Sequence, residues 1–375
     1  MKILFTGGGS GGHFYPIIAV AEEINKIIER DHLLNAQLYF VAPEPYNRAL
    51  LQENGILFKK VSAGKMRRYF SLLNFLDIFK TSAGIVRAIV LLYSIFPDVI
   101  FSKGGYASFP VLFAARLFGI PVIIHESDSV PGKTNVWAGK FAQRIAVSYA
   151  DAGSFFPKDK VAQTGNPVRQ GMFIVQKKGA HEFLKLEEGT PIIFILGGSQ
   201  GAQVINNVVL DALPQLVEKY QVIHQTGENN FKSTASTAGV ILKGNRYEGR
   251  YHPFPYLNLL SMKMSAGIAD LIISRAGSTI FEIAAWGIPS IIVPITDSNG
   301  DHQRSNAFAY ARTGACLVIE ENNLAANVLI SDIDRIMGNR EERERMVVGA
   351  RSFARPDAAQ KIAEEIVKIA LKHEK

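Results

Sequence analysis

Cysteine is almost absent from this chain, and its absence excludes a covalent scaffold. Cys316 is the single cysteine in 375 residues, so no intramolecular disulfide can form and a reducing compartment suits the chain. Long apolar runs are scarce too. The longest, Ile85 to Phe96, carries Arg87 and ends at Pro97, short of the roughly 20 residues a membrane helix needs. The expectation is a chain without a membrane span, soluble or attached to a membrane surface. Met1 to Phe5 is too short for a signal-peptide core before glycines begin, so no export signal is expected. Low-complexity segments and recognised nucleic-acid modules are missing as well, and nucleic acid is not an expected partner.

What is present describes a globular α/β protein. With 47% hydrophobic and 20% charged residues over 375 positions, the chain exceeds one usual core, so two domains are expected. The net charge of +7 is unevenly spread. Ile56 to Arg87 holds seven basic residues (Lys59, Lys60, Lys65, Arg67, Arg68, Lys80, Arg87) against Asp77, a local +6. Within it Leu72, Phe75, Leu76 and Phe79 fall at helical spacing. That face is either core or a surface for an anionic bilayer.

The richest stretch runs from Ile268 to Ala307. Leu271–Ser274 reads as a buried strand, Ile280–Trp286 as a helix, Ile288–Val293 as a second strand and Gln303–Ala311 as a second helix. This is the unit of a parallel sheet, in which ligands sit beyond the carboxyl ends of strands. Arg275, Ser278 and Thr279 fall on one loop, Asp301, His302 and Gln303 on the next. Glu282 lies one turn into the first helix. A cation beside hydroxyls at a helix start suits phosphate, and a nearby carboxylate suits ribose hydroxyls. Two ordinary turns with solvated loops would read the same way.

The same plan opens the chain. Lys2–Thr6 is a strand, Gly7 to His13 a glycine loop and Pro16–Arg30 a helix. It is not a G-x-G-x-x-G dinucleotide fingerprint, because no acidic residue follows the second strand, Leu38–Ala42. A further strand ends at Ile124, followed by His125, Glu126, Ser127 and Asp128, a place for acid–base work or simply a polar edge. Pro191–Leu196, Gly197 to Gly201 and the helix from Ala202 repeat the opening plan about 190 residues later, which suggests two similar domains.

Taken together, seven motifs in order resemble the MurG family, bacterial transferases that pass N-acetylglucosamine from its UDP donor to lipid I and so form lipid II. They are GGGSGGHFYP (7–16), GGYASFP (104–110), HESDSVPGKTN (125–135), GNPVR (165–169), GGSQGAQVIN (197–206), SRAGSTIFEIAAWGIP (274–289) and DHQRSNA (301–307). The resemblance covers the chain almost end to end. It implies an α/β fold of GT-B architecture, two Rossmann-like domains facing across a cleft. Residues 1–168 would form the acceptor and membrane domain, joined by a returning helix over 356–375, and 169–355 the donor domain.

By position, the resemblance places the diphosphate at Gly198, Ser199, Gln200 and Gly201 and the nucleotide beside Arg169. Uracil would face Pro255, ribose Glu282, and the sugar hydroxyls Gln303 and Asn306. Ser10, Gly11, Gly12 and His13 would face the acceptor diphosphate, with Tyr106, His125, Glu126, Asn135 and Asn206 completing the cleft. Three departures stand out. Asp128 replaces a usual Asn and would set a carboxylate near an anionic leaving group. RAGSTIFE is one residue short, which blurs Ser278 and Thr279, and Tyr256–Gly267 is longer than usual.

Such a transfer needs a stabilised leaving group and a base. The only Asp-x-Asp spacing, Asp332 and Asp334, falls in a C-terminal helix far from the motifs and reads as a solvated face. Neither metal nor cofactor is expected. A helix N-terminus offers about half a positive charge, to which Arg169 and Arg275 add. His13 is the first candidate for the base, ahead of Asp128 and Glu126. The implied site is the cytoplasmic face of the bacterial cell membrane, held peripherally. The rivals are another lipid acceptor, a UDP-N-acetylglucosamine 2-epimerase, or a non-catalytic nucleotide-sugar sensor.

Overall fold

The computed structural model describes residues 1–64, 72–197, 202–296 and 301–373, with side chains in the second stretch from Asp77 onward. The chain forms two compact units, Met1–Arg169 with Arg355–Lys375, and Gln170–Ala354.

The first unit alternates strand and helix. Its elements begin β1 (Lys2–Thr6), α1 (Gly11–Arg30), β2 (Gln37–Ala42), α2 (Arg48–Glu53), β3 (Ile56–Lys60) and α3 (Leu72–Ile95). They continue β4 (Val99–Ser102), α4 (Phe109–Phe118), β5 (Val122–Glu126), α5 (Lys133–Gly139), β6 (Arg144–Val147) and β7 (Val161–Gln163). Among the described residues these strands make one parallel sheet, ordered β3-β2-β1-β4-β5-β6-β7. Alternation along β1 sends Ile3 and Phe5 to one face and Leu4 to the other, and each is fully buried. On the first face they meet Ile17, Val20 and Ile24 of α1.

The second unit holds α6 (Gln170–Phe173), α7 (Ala180–Leu184), β8 (Ile192–Leu196), α8 (Gln203–Lys219), β9 (Gln221–Gln225) and α9 (Glu228–Ile241). Then come β10 (Tyr251–Phe254), α10 (Leu259–Ile268), β11 (Leu271–Ser274), α11 (Thr279–Trp286), β12 (Ser290–Ile292) and α12 (His302–Ala311). β13 (Cys316–Val318), α13 (Ala326–Gly338) and α14 (Arg340–Phe353) complete it. Its described strands are parallel in the order β10-β9-β8-β11-β12-β13. The last helix, α15 (Ala358–His373), belongs to the first unit, where Ile362, Ile366, Ile369 and Ala370 join the cluster around α1.

In each sheet the strand order reverses once, between β1 and β4 and between β8 and β11. Ligands of open α/β sheets bind beyond the carboxyl ends of strands at such a switch point. The first glycine loop, Gly7 to His13, follows β1 there.

Two expectations need correction. α1 starts at Gly11, not Pro16, so His13 stands in its first turn. Pro16 is accommodated inside the helix, where it withholds only the N–H that Gly12 would accept. The second concerns the membrane. α3 runs past Arg87, and Asp77–Ile95 is 19 residues with mean hydropathy 1.6, long and apolar enough to cross a bilayer by length and composition. Its fold role differs, because it links β3 to β4 of one sheet and packs on α4. Ala88, Leu92 and Ile95 are buried along its inner side. Its outer side is also apolar, with Ile78 (58% exposed), Phe79, Val86, Val90 and Tyr93 (75%) facing out beside Phe113 and Leu117 of α4. Lys65, Arg67 and Arg68, and the side chains of Leu72, Phe75 and Leu76, lie outside the described residues.

Candidate active site

At the first switch point three loops converge. Ser10 caps α1 through its backbone carbonyl, which accepts from the N–H of His13 and Phe14 at 3.2 Å each, while its side chain makes no capping bond. The first N–H groups of any α-helix, here from Gly11 and Gly12, have no acceptor within it. They and the helix dipole suit an anion. His13 is half-buried, with Nδ1 3.2 Å from the Gly8 carbonyl and 3.4 Å from Ser10 Oγ. Donation to a carbonyl assigns the proton to Nδ1 and the basic lone pair to Nε2.

The loop after β4 lies against this turn, with Tyr106 beside Gly9 and Gly105 beside the His13 ring. Gly104 is required here. Its φ is +77°, and a Cβ would stand 2.5 Å from Asn135 Oδ1. Asn135 is buried, and its Nδ2 donates to the His125 carbonyl at 3.1 Å and to Glu126 Oε2 at 2.9 Å.

His125 and Glu126 both belong to β5, so they point to opposite sides. Both ring nitrogens of the fully buried His125 are engaged, Nδ1 with Lys103 Nζ at 2.6 Å and Nε2 with the Gly165 carbonyl at 3.0 Å. Burial, then the Lys103 charge, push its pKa far below the ordinary imidazole value. Glu126 is buried too. It accepts from the N–H groups of Asp128 (3.0 Å) and Gly132 (3.1 Å) as well as from Asn135. Burial and the neighbouring Asp128 nevertheless push its carboxyl up to about 7. Asp128 itself is half-buried on the turn that Glu126 closes. Arg169 lies at the end of this unit with its guanidinium 4.7 Å from the centre of the Tyr15 ring.

Gly198, Ser199, Gln200 and Gly201 lie outside the described residues. Ser278 opens α11 without a side-chain capping bond, followed by Thr279, and Glu282 is half-buried in the first turn. Arg275 donates to the Val293 carbonyl at 3.2 Å and to Glu321 Oε1 at 2.5 Å. Burial opposes ionisation of Glu321, but hydrogen bonds from Thr296 and Arg275 outweigh it and hold the carboxyl below its ordinary value. Arg275 is thus paired inside its own unit. Gln303 Oε1 accepts the N–H of Ile295 at 3.2 Å, and Asn306, 1% exposed, donates to the Ala276 carbonyl at 3.2 Å. Pro255 follows β10, whose Phe254 carbonyl takes the Thr226 N–H at 2.9 Å.

Asn206 is fully buried and holds His224 Nε2 and the Thr226 carbonyl, each at 3.0 Å. His224 also meets the Tyr251 hydroxyl at 3.0 Å, and burial pulls its pKa down to about 3. The amide of Asn206 therefore works inside the domain, tying α8 to β9. Sequence reasoning missed Lys103 altogether. Its only local signal is a lysine directly before the Gly104–Gly105 pair. Asp332 and Asp334 are paired rather than merely solvated, with Arg335 at 3.3 Å and Lys219 at 2.7 Å respectively.

Two Rossmann-like units, each with its polar groups at a switch point, make up the GT-B architecture of nucleotide-sugar enzymes. The chain matches the Glycosyltransferase family 28 N-terminal domain over residues 3–147 and the Glycosyltransferase family 28 C-terminal domain over 192–362. It belongs to glycosyltransferase family 28. A relative from Pediococcus pentosaceus is 34% identical over 96% of this chain and 98% of its own length. That relative is named UDP-N-acetylglucosamine–N-acetylmuramyl-(pentapeptide) pyrophosphoryl-undecaprenol N-acetylglucosamine transferase. The crystal structure of Acinetobacter baumannii MurG superposes with a TM-score of 0.72 at 26% identity, covering 98% of this chain and 99% of that one. A putative UDP-N-acetylglucosamine 2-epimerase from Listeria monocytogenes reaches 0.71 at 15% identity over 99% of this chain and 96% of that one, a likeness of fold alone.

Proposed function

We propose that this chain transfers N-acetylglucosamine from UDP-N-acetylglucosamine to lipid I, undecaprenyl-pyrophosphoryl-N-acetylmuramyl-pentapeptide, forming lipid II for peptidoglycan synthesis. The observation that carries the reading is full-length similarity at 34% identity to a protein of that name, against 15% for the epimerase. In this reading the acceptor hydroxyl oxygen attacks the anomeric carbon as its bond to the UDP oxygen breaks. UDP leaves with the bonding pair, and the configuration inverts. His13 Nε2 takes the hydroxyl proton, while the N-terminus of α1, with Gly11 and Gly12, receives the acceptor diphosphate. Ser199, Ser278 and Thr279 meet the donor diphosphate, Glu282 the ribose, Pro255 the uracil, and Gln303 and Asn306 the sugar.

The acceptor is a lipid, so the apolar outer side of α3 and α4 is assigned to the cytoplasmic face of the cell membrane. Tyr93, Val90, Phe79 and Leu117 enter the interface there, flanked by Lys80 and Arg87. Labelled UDP-N-acetylglucosamine with lipid I in anionic vesicles tests both statements. Labelled lipid II is expected. UDP-N-acetylmannosamine would identify the epimerase instead, and bound but unaltered nucleotide a sensor. Replacing Val90 and Tyr93 by Ser should reduce cosedimentation with the vesicles and leave UDP binding intact. If this variant sediments like the original, the face is not the docking surface.

A further inference from the structure

Lys103 is a buried side chain at the first switch point for which the proposed reaction gives no task. It follows β4 and is 1% exposed. Its N–H donates to the Thr6 carbonyl at 2.9 Å, and its Cβ lies 3.0 Å from where a Cβ on Gly7 (φ +147°) would stand. The base of the side chain is therefore fixed. At the other end Nζ meets His125 Nδ1 at 2.6 Å, Ser127 Oγ at 2.5 Å and Asn166 Oδ1 at 3.2 Å. An ammonium has three N–H donors, and three acceptors surround it. Since His125 Nε2 donates to the Gly165 carbonyl, Nδ1 carries the lone pair and Lys103 is the donor.

A buried cation needs a compensating anion. His125 is neutral in this arrangement, and Ser127 and Asn166 carry no charge. The carboxylates are on the turn that Lys103 grips. Ser127 stands between Glu126 and Asp128, and Glu126 Oε1 takes the Asp128 N–H at 3.0 Å. Two carboxylates two residues apart repel one another, as Asp128 does Glu126.

We propose that Lys103 is a positioning residue that acts as the internal counter-charge of the Glu126–Asp128 turn, making a second carboxylate tolerable where a diphosphate-bearing substrate must approach. It acts through Ser127, whose hydroxyl it holds, and thereby sets the direction of Asp128. Burial pulls the ammonium down to about 7, while Glu126 and Asp128 hold it up, which is the electrostatic side of the same pairing. The inference rests on the transferase reading for its substrate, but the pairing itself is a property of the fold.

The test is a double-mutant cycle of Lys103→Met, Asp128→Asn and both together, read in kcat/KM for lipid I and in thermal unfolding. Removing the cation alone leaves two unbalanced carboxylates. The double variant should then be at least about tenfold more active than Lys103→Met, since coupled pairs interact by amounts of that order. Its unfolding temperature should likewise lie above that of Lys103→Met. A loss of packing at position 103 would not be rescued by a change at 128. If Lys103→Met fails to fold, folding restored by Asp128→Asn supports the pairing, and a double variant that also fails overturns it. Additive effects in both measurements overturn it as well. Should the original protein show no transfer to any lipid, coupling in the unfolding temperatures would still establish the pairing while the transferase reading fell.

Discussion

The two switch points hold their charges in opposite ways. At the end of β1, β4 and β5 the described residues bring together Lys103, His125 and Glu126, all buried, with Glu126 raised to about 7 and Lys103 lowered to about 7. At the end of β11 Arg275 is matched by Glu321, and on β9 the buried His224 is held neutral between Asn206 and Tyr251. Groups poised near neutrality can exchange a proton at working pH, and groups locked in pairs cannot. The proposed function gives proton chemistry to the first unit and nucleotide holding to the second. Breaking either side should give different kinds of loss.

The largest effect should come from His13. Replacing it by Gln keeps a polar side chain in the first turn of α1 but removes the base, and general-base losses are typically about 10²–10⁴-fold in rate. Single-turnover transfer from UDP-N-acetylglucosamine to lipid I should fall by that amount, with UDP affinity nearly unaltered. An equal loss of nucleotide binding would mean that the two units do not divide the work. Retention of full activity would move the base to Asp128 or Glu126.

The loops that carry these groups are legible in the sequence, and the reason is local. Glycine loops after apolar strands announce themselves over ten residues, as GGGSGGHFYP does, and so Ser10 and His13 could be named as candidates. Lys103 was not, because its burial depends on Ser127 and Asn166, 24 and 63 residues away. The Arg275–Glu321 pair spans 46 residues, and in sequence Arg275 looked available for phosphate. In sequence the apolar stretch of α3 reads as Ile85 to Phe96, too short at its start by eight residues against Asp77–Ile95. A long side chain can reach water from a helix whose other face is buried, so a single arginine does not end an apolar helix. Local pattern shows where loops fall; which charges meet is settled by the sheet.

A middle-sized effect is expected in stability against pH. Glu126 has its carboxyl raised from 4.5 to about 7, chiefly by burial. Between those values the folded chain retains a proton that the unfolded chain has released, so this group's contribution falls as pH rises through the window. Lys103, lowered from 10.5 to about 7, acts oppositely. Above neutrality the unfolded chain binds the extra proton, and stability rises with pH. Glu126→Gln should therefore lose the decline below neutrality. Denaturant midpoints of both proteins measured from about pH 5 to about pH 7 check this. Parallel curves would show that Glu126 titrates as an ordinary carboxylate and would remove the asymmetry between the two switch points.

The smallest expected effect sharpens the other side. Glu282 is half-buried in the first turn of α11, the helix that Ser278 and Thr279 open at the second switch point. A carboxylate there accepts from paired hydroxyls of a ribose, and each such bond contributes a net 0.5–1.5 kcal/mol or about two- to tenfold in affinity. Glu282→Ala should weaken UDP binding by one or two such steps, measured by titration without acceptor. Glu282→Gln, which keeps one acceptor oxygen, should lose less. Because the loss concerns ground-state binding, turnover at saturating UDP-N-acetylglucosamine should stay close to the original while KM for the donor rises. Unaltered UDP affinity with the fold intact would take Glu282 out of the site. A fall in saturated turnover with normal nucleotide binding would place a second-unit carboxylate in the chemistry, and the division between the two switch points would fail.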